Sequence, residues 1–324
     1  MKSSFKFLAR VLSSLMVATL LLSSVAWAKY PDRNIDLIIP WSAGGATDVA
    51  TRLMVDFGAR ELGEGIIVNN VPGGNGALGW AKASQEKPDG YTIVCLTFDI
   101  LANQALGTTP IGLDNFDVIL QFSTQPLGVF THKDSPYHSL KELLDAAKAK
   151  PGQVTMSTLA FGSSFHQGVG LLEMQVPGAK FKSIPNKSSA EIIAAIAGNH
   201  ANAAVMALNN MNQHVDSGNM RLLAVLNPER VKEFPNAPTA RELGYDVSWS
   251  SWRAIGVPKG VPAEEKKILD EAFKRAFDNP EFQAKATKAS IDLLFRTGDE
   301  FKKMTKEQYP LLVETLKSLG VIKK

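Results

Sequence analysis

Short apolar runs alternate with longer stretches of helical spacing along this chain. Ile35 to Pro40 (IDLIIP) has strand length and leads into Trp41-Ser42-Ala43-Gly44-Gly45-Ala46-Thr47-Asp48. Beyond it Val49, Leu53 and Phe57 recur at helical spacing, with Ala50 and Met54 on the same face. This reads as strand, glycine turn, helix. Ile66 to Asn69 gives a second strand, Asn69 to Ala81 (NNVPGGNGALGWA) a second turn, and Tyr91 to Thr97 a third strand. Strands alternating with helices predict an α/β fold with a largely parallel sheet.

The pattern restarts past the middle of the chain. Leu127 to Thr131, Val154 to Thr158, Phe181 to Ile184, Ala201 to Met206 and Leu222 to Leu226 are strand candidates. Between them, Leu140 to Ala149, Ser164 to Met174 and Ala190 to Ala197 read as amphipathic helices. From Val261 onward the chain is mostly helical: Pro262 to Phe277, Pro280 to Ala289 and Gly298 to Leu319, with each proline at a helix start. Pro228 and Phe234 to Pro238 look like a crossing back, and the C-terminal helices need the first group of strands to cover. The expected organisation is two α/β domains, residues 29–127 plus 229–324 and residues 128–228, with a cleft between them. Closure is expected at the crossings near Leu127 and Pro228.

Residues 1–28 stand outside that fold. Lys2, Lys6 and Arg10 precede the apolar run Val11 to Leu22, and Ala26-Trp27-Ala28 is an A-x-A cleavage signal, so the mature chain is expected to start near Lys29. No cysteine follows the cleavage point, which argues against a lipid anchor and for a soluble, exported protein. Removing 28 of the 324 residues leaves 296, with the 35 basic side chains reduced to 32 against 32 acidic ones. A neutral chain carries no nucleic-acid footprint and no polybasic membrane patch. Cys95 is the single cysteine, so no internal disulfide forms, and its apolar run predicts a buried, inert thiol.

Three loops join a strand to a helix through small, donor-rich residues: Ser42 to Asp48, Pro72 to Ala77, and Ala160 to His166 (AFGSSFH). The first amides of a helix lack intrahelical acceptors and the helix dipole is positive there, so such loops suit a carboxylate or phosphate. Capping of the same helices by Thr47, Asp48, Ser163 or Ser164 is the competing reading. In open α/β sheets ligands bind beyond the carboxyl ends of strands, where all three loops lie.

Other chemistry is less well supported. Gly74-Asn75-Gly76-Ala77-Leu78-Gly79 is a literal G-x-G-x-x-G, and Asp99 falls where a ribose-binding acid would, but Asn70-Val71-Pro72 separates the strand from the glycines. Gly44-Gly45 lacks the lysine of a nucleotide P-loop. Gly162-Ser163-Ser164-Phe165-His166 is not a G-x-S-x-G elbow, and no orienting acid is recognisable, which leaves an exported serine hydrolase using Ser163 or Ser164 and His166 as the alternative. His132, His138, His166, His200 and His214 show no metal-binding spacing, and no metal or cofactor is expected. Of the five, His166 is the candidate donor to an anion.

Tyr30-Pro31-Asp32-Arg33, Pro40 to Asp48, Asn70 to Gly76, Pro88 to Thr92, Lys150-Pro151-Gly152, Gly162-Ser163-Ser164 with His166, Ser217-Gly218, Pro235 to Thr239 and Pro258 to Pro262 together closely resemble the Bug/TctC family. These are periplasmic solute-binding proteins of tripartite tricarboxylate transporters. The resemblance implies a two-domain periplasmic binding fold, type II-like, that closes over a small organic anion, usually a carboxylate or dicarboxylate. Such a protein, expected as a monomer, delivers its ligand to integral-membrane TctA/TctB-like subunits. Carried over, Ser42, Ala43, Gly44, Gly45, Thr47 and Asp48 hold one end of the ligand, and Phe161, Ser163, Ser164 and His166 meet the other. Asn75 and Gly76 close the side, and Thr97 and Phe98 end the third strand facing the cleft. Two departures stand out: Trp41 where the family commonly has phenylalanine or tyrosine, and Val205-Met206-Ala207-Leu208 where it often has a polar or acidic residue. With Met206 and Ala207 on the wall, the cleft would favour a ligand with an apolar or aromatic body.

Overall fold

The computed structural model describes residues 30–323. The expected signal segment and cleavage site, and Lys29, lie outside the described residues. The first half of the architecture follows the apolar pattern closely. Strand β1 (Ile35–Ile39), helix α1 (Ala46–Leu62), β2 (Ile66–Asn70), α2 (Ala77–Gln85) and β3 (Thr92–Thr97) alternate, and α3 (Asp99–Leu106) follows at once. β1 pairs in parallel with both β2 and β3.

The next strand, β4 (Phe116–His132), is 17 residues long and organises the molecule. Its early residues pair antiparallel with β9 (Ser250–Pro258) and with the edge strand β10 (Leu293–Thr297). From Leu127 onward it pairs instead with β7 (Ala203–Ala207) and β8 (Met220–Val225). The partner changes between Pro126, opposite Ser250, and Leu127, opposite Ala207. β5 (Thr155–Leu159) then lies parallel to β7 and to β6 (Lys182–Asn186). One curled ten-stranded sheet results, with the main order β2-β1-β3-β9-β4-β7-β5-β6. It is mixed rather than largely parallel, because β4 and β9 run against their neighbours throughout.

The helices of the second half are α4 (Leu140–Ala149), α5 (Ser164–Gln175), α6 (Ser189–Ala197) and the short α7 (Asn212–Asp216). The chain does not cross back at Pro228. Val225 donates to the Pro238 carbonyl, Ala240 to Val225, Asp246 to the Gln175 side chain and Trp249 to Leu226, so residues up to 249 stay with the second half and β9 makes the return. Helices α8 (Ala263–Asp278) and α9 (Pro280–Lys288) then cover the first half. Phe273, Phe277 and Phe282 pack there with Met54 and Phe57 of α1 and with β1, β3 and β9. The last helix, α10 (Gly298–Ser318), spans both halves: Phe301 meets Trp252 edge-on at 4.6 Å, while Thr315 packs against Gly170 of α5 and Lys180 donates to the Ser318 carbonyl. Its apolar face belongs to a core that runs without interruption from Val94 and Phe98 through Leu127 and Val129 to Ile192. Among the described residues no helix is long and apolar enough to cross a membrane.

Candidate functional site

The loop Ser42 to Asp48 connects β1 to α1. Ser42, Ala43, Gly44 and Gly45 are exposed, and Gly44 takes φ +78°, a conformation open to glycine at little cost. Gly45 is the N-cap and no side chain caps the helix, so the amides of Ala46 and Thr47 remain available. Asp48 has a different task from the one expected. Its carboxylate is buried and accepts from the Gly44 amide, from Arg52 Nε and from Asn70 Nδ2, at 2.8–3.0 Å. Burial opposes its ionisation, but those donors outweigh it and hold the carboxyl below its usual range. Asp48, its carboxylate taken up by three N–H donors of the protein itself, therefore fixes the loop's shape. Asn70 also donates to the Trp41 carbonyl, and Trp41 stands edge-on to Trp80 at 6.4 Å with its indole N–H buried and unpartnered.

The second loop turns through four successive residues of positive φ: Gly73, Gly74, Asn75 and Gly76. Gly76 and Leu78 donate to the Gly73 carbonyl and Ala77 to Gly74, so the first two amides of α2 are spent within the turn. Asn75 donates to Asp99 at 3.3 Å and Thr97 Oγ1 to the same carboxyl at 3.0 Å; burial raises that carboxyl's pKa, and these bonds work against the rise. Phe98 is fully buried between Trp249 and Trp252, so it supports the site from behind rather than facing a ligand.

The third loop enters α5. Ser163 Oγ accepts from the His166 amide, so the capping reading holds for this serine. His166 is buried, its Nδ1 accepts from the Gly162 amide, and burial pushes its pKa down to about 4. The ring is neutral at pH 7 and carries its proton on Nε2, available as a donor. Phe161, half exposed, stands edge-on to this imidazole at 5.1 Å. Gly162 lies against Leu106 at the end of α3, and Trp249 Nε1 donates to the Ser164 carbonyl, which brings the third loop to the side of the Asn75 and Thr97 group. No hydrogen bond among the described residues joins this loop to Ser42 to Thr47. Met206 and Ala207 are the expected wall residues that lie elsewhere: both are wholly buried inside β7, paired opposite Gly128 and Leu127, and present no surface to a ligand in this conformation.

The model of the family described as "Tripartite tricarboxylate transporter family receptor", TctC, matches residues 50–320. The chain belongs to the TctC family. TctC proteins are solute-binding receptors and not enzymes, which removes the hydrolase alternative; Ser163 Oγ is in any case engaged by a backbone amide. A UPF0065 protein encoded in the gbd 5' region of Cupriavidus necator is 29% identical over 298 residues, covering 91% of this chain and 90% of its own. A TctC solute-binding protein from Polaromonas, solved without ligand, superposes with a TM-score of 0.78 at 28% identity, covering 90% of this chain and 100% of its own. R. palustris Rpa4515, solved with adipate, shares the fold with a TM-score of 0.77 at 22% identity, over 90% of this chain and 98% of its own.

One residue of this TctC chain escaped the sequence reading. Arg253, in the middle of β9, is only 5% exposed and lies beneath the first loop. Its Nε donates to Thr47 Oγ1 at 3.2 Å and its Nη1 to Ser123 Oγ at 3.4 Å. The visible signal was an arginine inside the otherwise uncharged strand SSWRAIGVP. Recesses away from these loops include about 720 Å³ beside the start of β4, about 960 Å³ against β10 and α10, and about 510 Å³ beside β8 and Phe234. None of them combines free helix-start amides with a buried cation, so the chemistry favours the loops.

Proposed function

We propose that this protein is a periplasmic receptor that captures a small organic anion, a carboxylate or dicarboxylate, and delivers it to integral-membrane TctA/TctB-like subunits. Residues 1–28 serve as its export signal. The observation that carries this reading is the uncapped start of α1 set over a buried arginine, a concentration of positive potential whose one first-turn acid, Asp48, is already paired with Arg52. Ser42 to Thr47 grip one end of the ligand, and Ser164 with His166 Nε2 meets the other. Family membership and the adipate held by Rpa4515 support the ligand class. An aromatic or apolar ligand body is not carried forward, since it rested on Met206 reaching the cleft.

In this reading the moving units are residues 30–126 with 250–323 and residues 127–249. The hinge lies at Pro126–Leu127 and Trp249–Ser250, and α10 limits its range. The test is thermal unfolding of refolded, ligand-free protein against aliphatic and aromatic mono- and dicarboxylates, with NAD as control. A ligand at a hundred times its dissociation constant adds about 2.7 kcal/mol of stability. Protection by one carboxylate class is the expected result; protection by NAD alone would overturn the reading.

A further inference from the structure

A cation beside the start of a helix is ordinarily misplaced. The first turn of a helix is positive, and acidic side chains belong there. Here the guanidinium of Arg253 bonds to Thr47, in the first turn of α1. The one acid of that turn, Asp48, is committed to Gly44, Arg52 and Asn70. Among the described residues Arg253 forms no ion pair, and its Nη2 has no hydrogen-bond partner. Asp292 is close enough to be felt electrostatically but makes no ion pair with it. Burying an unpaired guanidinium is expensive, and its persistence calls for a charge that arrives from outside.

Resting on the receptor reading above, we propose that Arg253 is the charged anchor of the bound ligand and the chief determinant of its specificity. A carboxylate of the ligand sits between this guanidinium and the free amides of Ala46 and Thr47. The far end of the cleft offers no such charge: the α5 loop contributes amides and a neutral imidazole, and Asp99 lies to the side. The ligand is therefore held unequally, one carboxylate tightly at α1 and its other end by neutral donors. Exchanging the second carboxylate for an uncharged polar group should cost far less affinity than removing the first.

The experiment compares wild type with Arg253→Gln and Arg253→Lys in two measurements. The first is calorimetric titration with succinate, glutarate, adipate and the monoamide of adipate. Arg253→Gln should weaken every acid that binds by at least about 30-fold, with Arg253→Lys in between and the monoamide retained by wild type. The second is unfolding without ligand. Arg253→Gln should melt at or above the wild-type temperature, since an uncompensated buried charge has been removed. Binding by Arg253→Gln within about threefold of wild type would overturn the proposal, and so would a ligand-free Arg253→Gln that melts well below wild type or fails to fold. If none of the acids bound wild type, the assigned ligand class would fall, while the ligand-free comparison would still decide the role of Arg253.

Discussion

Trp249 Nε1 donates to the main-chain carbonyl of Ser164 at 3.0 Å, across 85 positions of sequence. The same indole meets Phe98 edge-on with ring centroids 5.3 Å apart. One side chain thus joins the entry of α5, the end of β3 and the last residue before β9, which are the third loop, the second loop's neighbour and the return crossing.

Trp249→Phe keeps the aromatic contact and deletes the bond to Ser164. The loss of one buried hydrogen bond and of part of a ring's volume should cost about 2 kcal/mol. Urea unfolding checks the value, and an unchanged midpoint would mean the indole N–H contributes nothing to holding the third loop.

His166 makes stability depend on pH. Its folded pKa, about 4, is depressed by burial below the ordinary value of 6.5. Between those values the unfolded chain binds a proton that the folded chain refuses, so stability rises with pH. The contribution is complete above about pH 6.5 and is lost as pH falls toward 4, at about 1.4 kcal/mol per pH unit. Unfolding midpoints measured from pH 4 to pH 7.5 should show this slope for wild type and a shallower one for His166→Asn. Parallel curves would mean the ring titrates normally in the folded protein.

Much of this architecture was legible wherever one physical signal dominated. β1, β3 and α4 carry clean apolar patterns, and the three C-terminal helices begin beside prolines or a capping threonine within a residue or so of their expected starts. The long strand β4 was half visible, because Asp117, Gln121, Ser123, Thr124 and Gln125 interrupt the apolar pattern of its first part. β9 was missed for a related reason: Arg253 and its serines read as loop until β3 and β4 flank them. The site shows the same division. Backbone loops announced themselves through glycine and serine, but sequence could not tell that Asp48 turns inward on Asn70, or that the strand ending near Met206 is buried on both faces. Both depend on segments distant in sequence, Asn70 for Asp48 and β4 for Met206.

The glycine loop that spells G-x-G-x-x-G offers the last test. A Cβ on Gly79 would lie 2.6 Å from Pro40 Cβ and 2.9 Å from the Val71 carbonyl oxygen, both rigidly held. A Cβ on Gly44 meets nothing within 4 Å, although its φ of +78° carries some strain. Gly79 is thus required for close packing of α2 on β1, and Gly44 for the shape of the first loop. Gly79→Ala should destabilise by about 2–3 kcal/mol through overpacking, with ligand affinity in the surviving folded fraction unchanged. Gly44→Ala should cost about 1 kcal/mol of stability and weaken carboxylate binding, because it disturbs the loop that Asp48 holds in place. Paired denaturation and titration of the two variants checks both. If Gly79→Ala proved the one that lost ligand while staying stable, the second loop and not the first would be the anion grip.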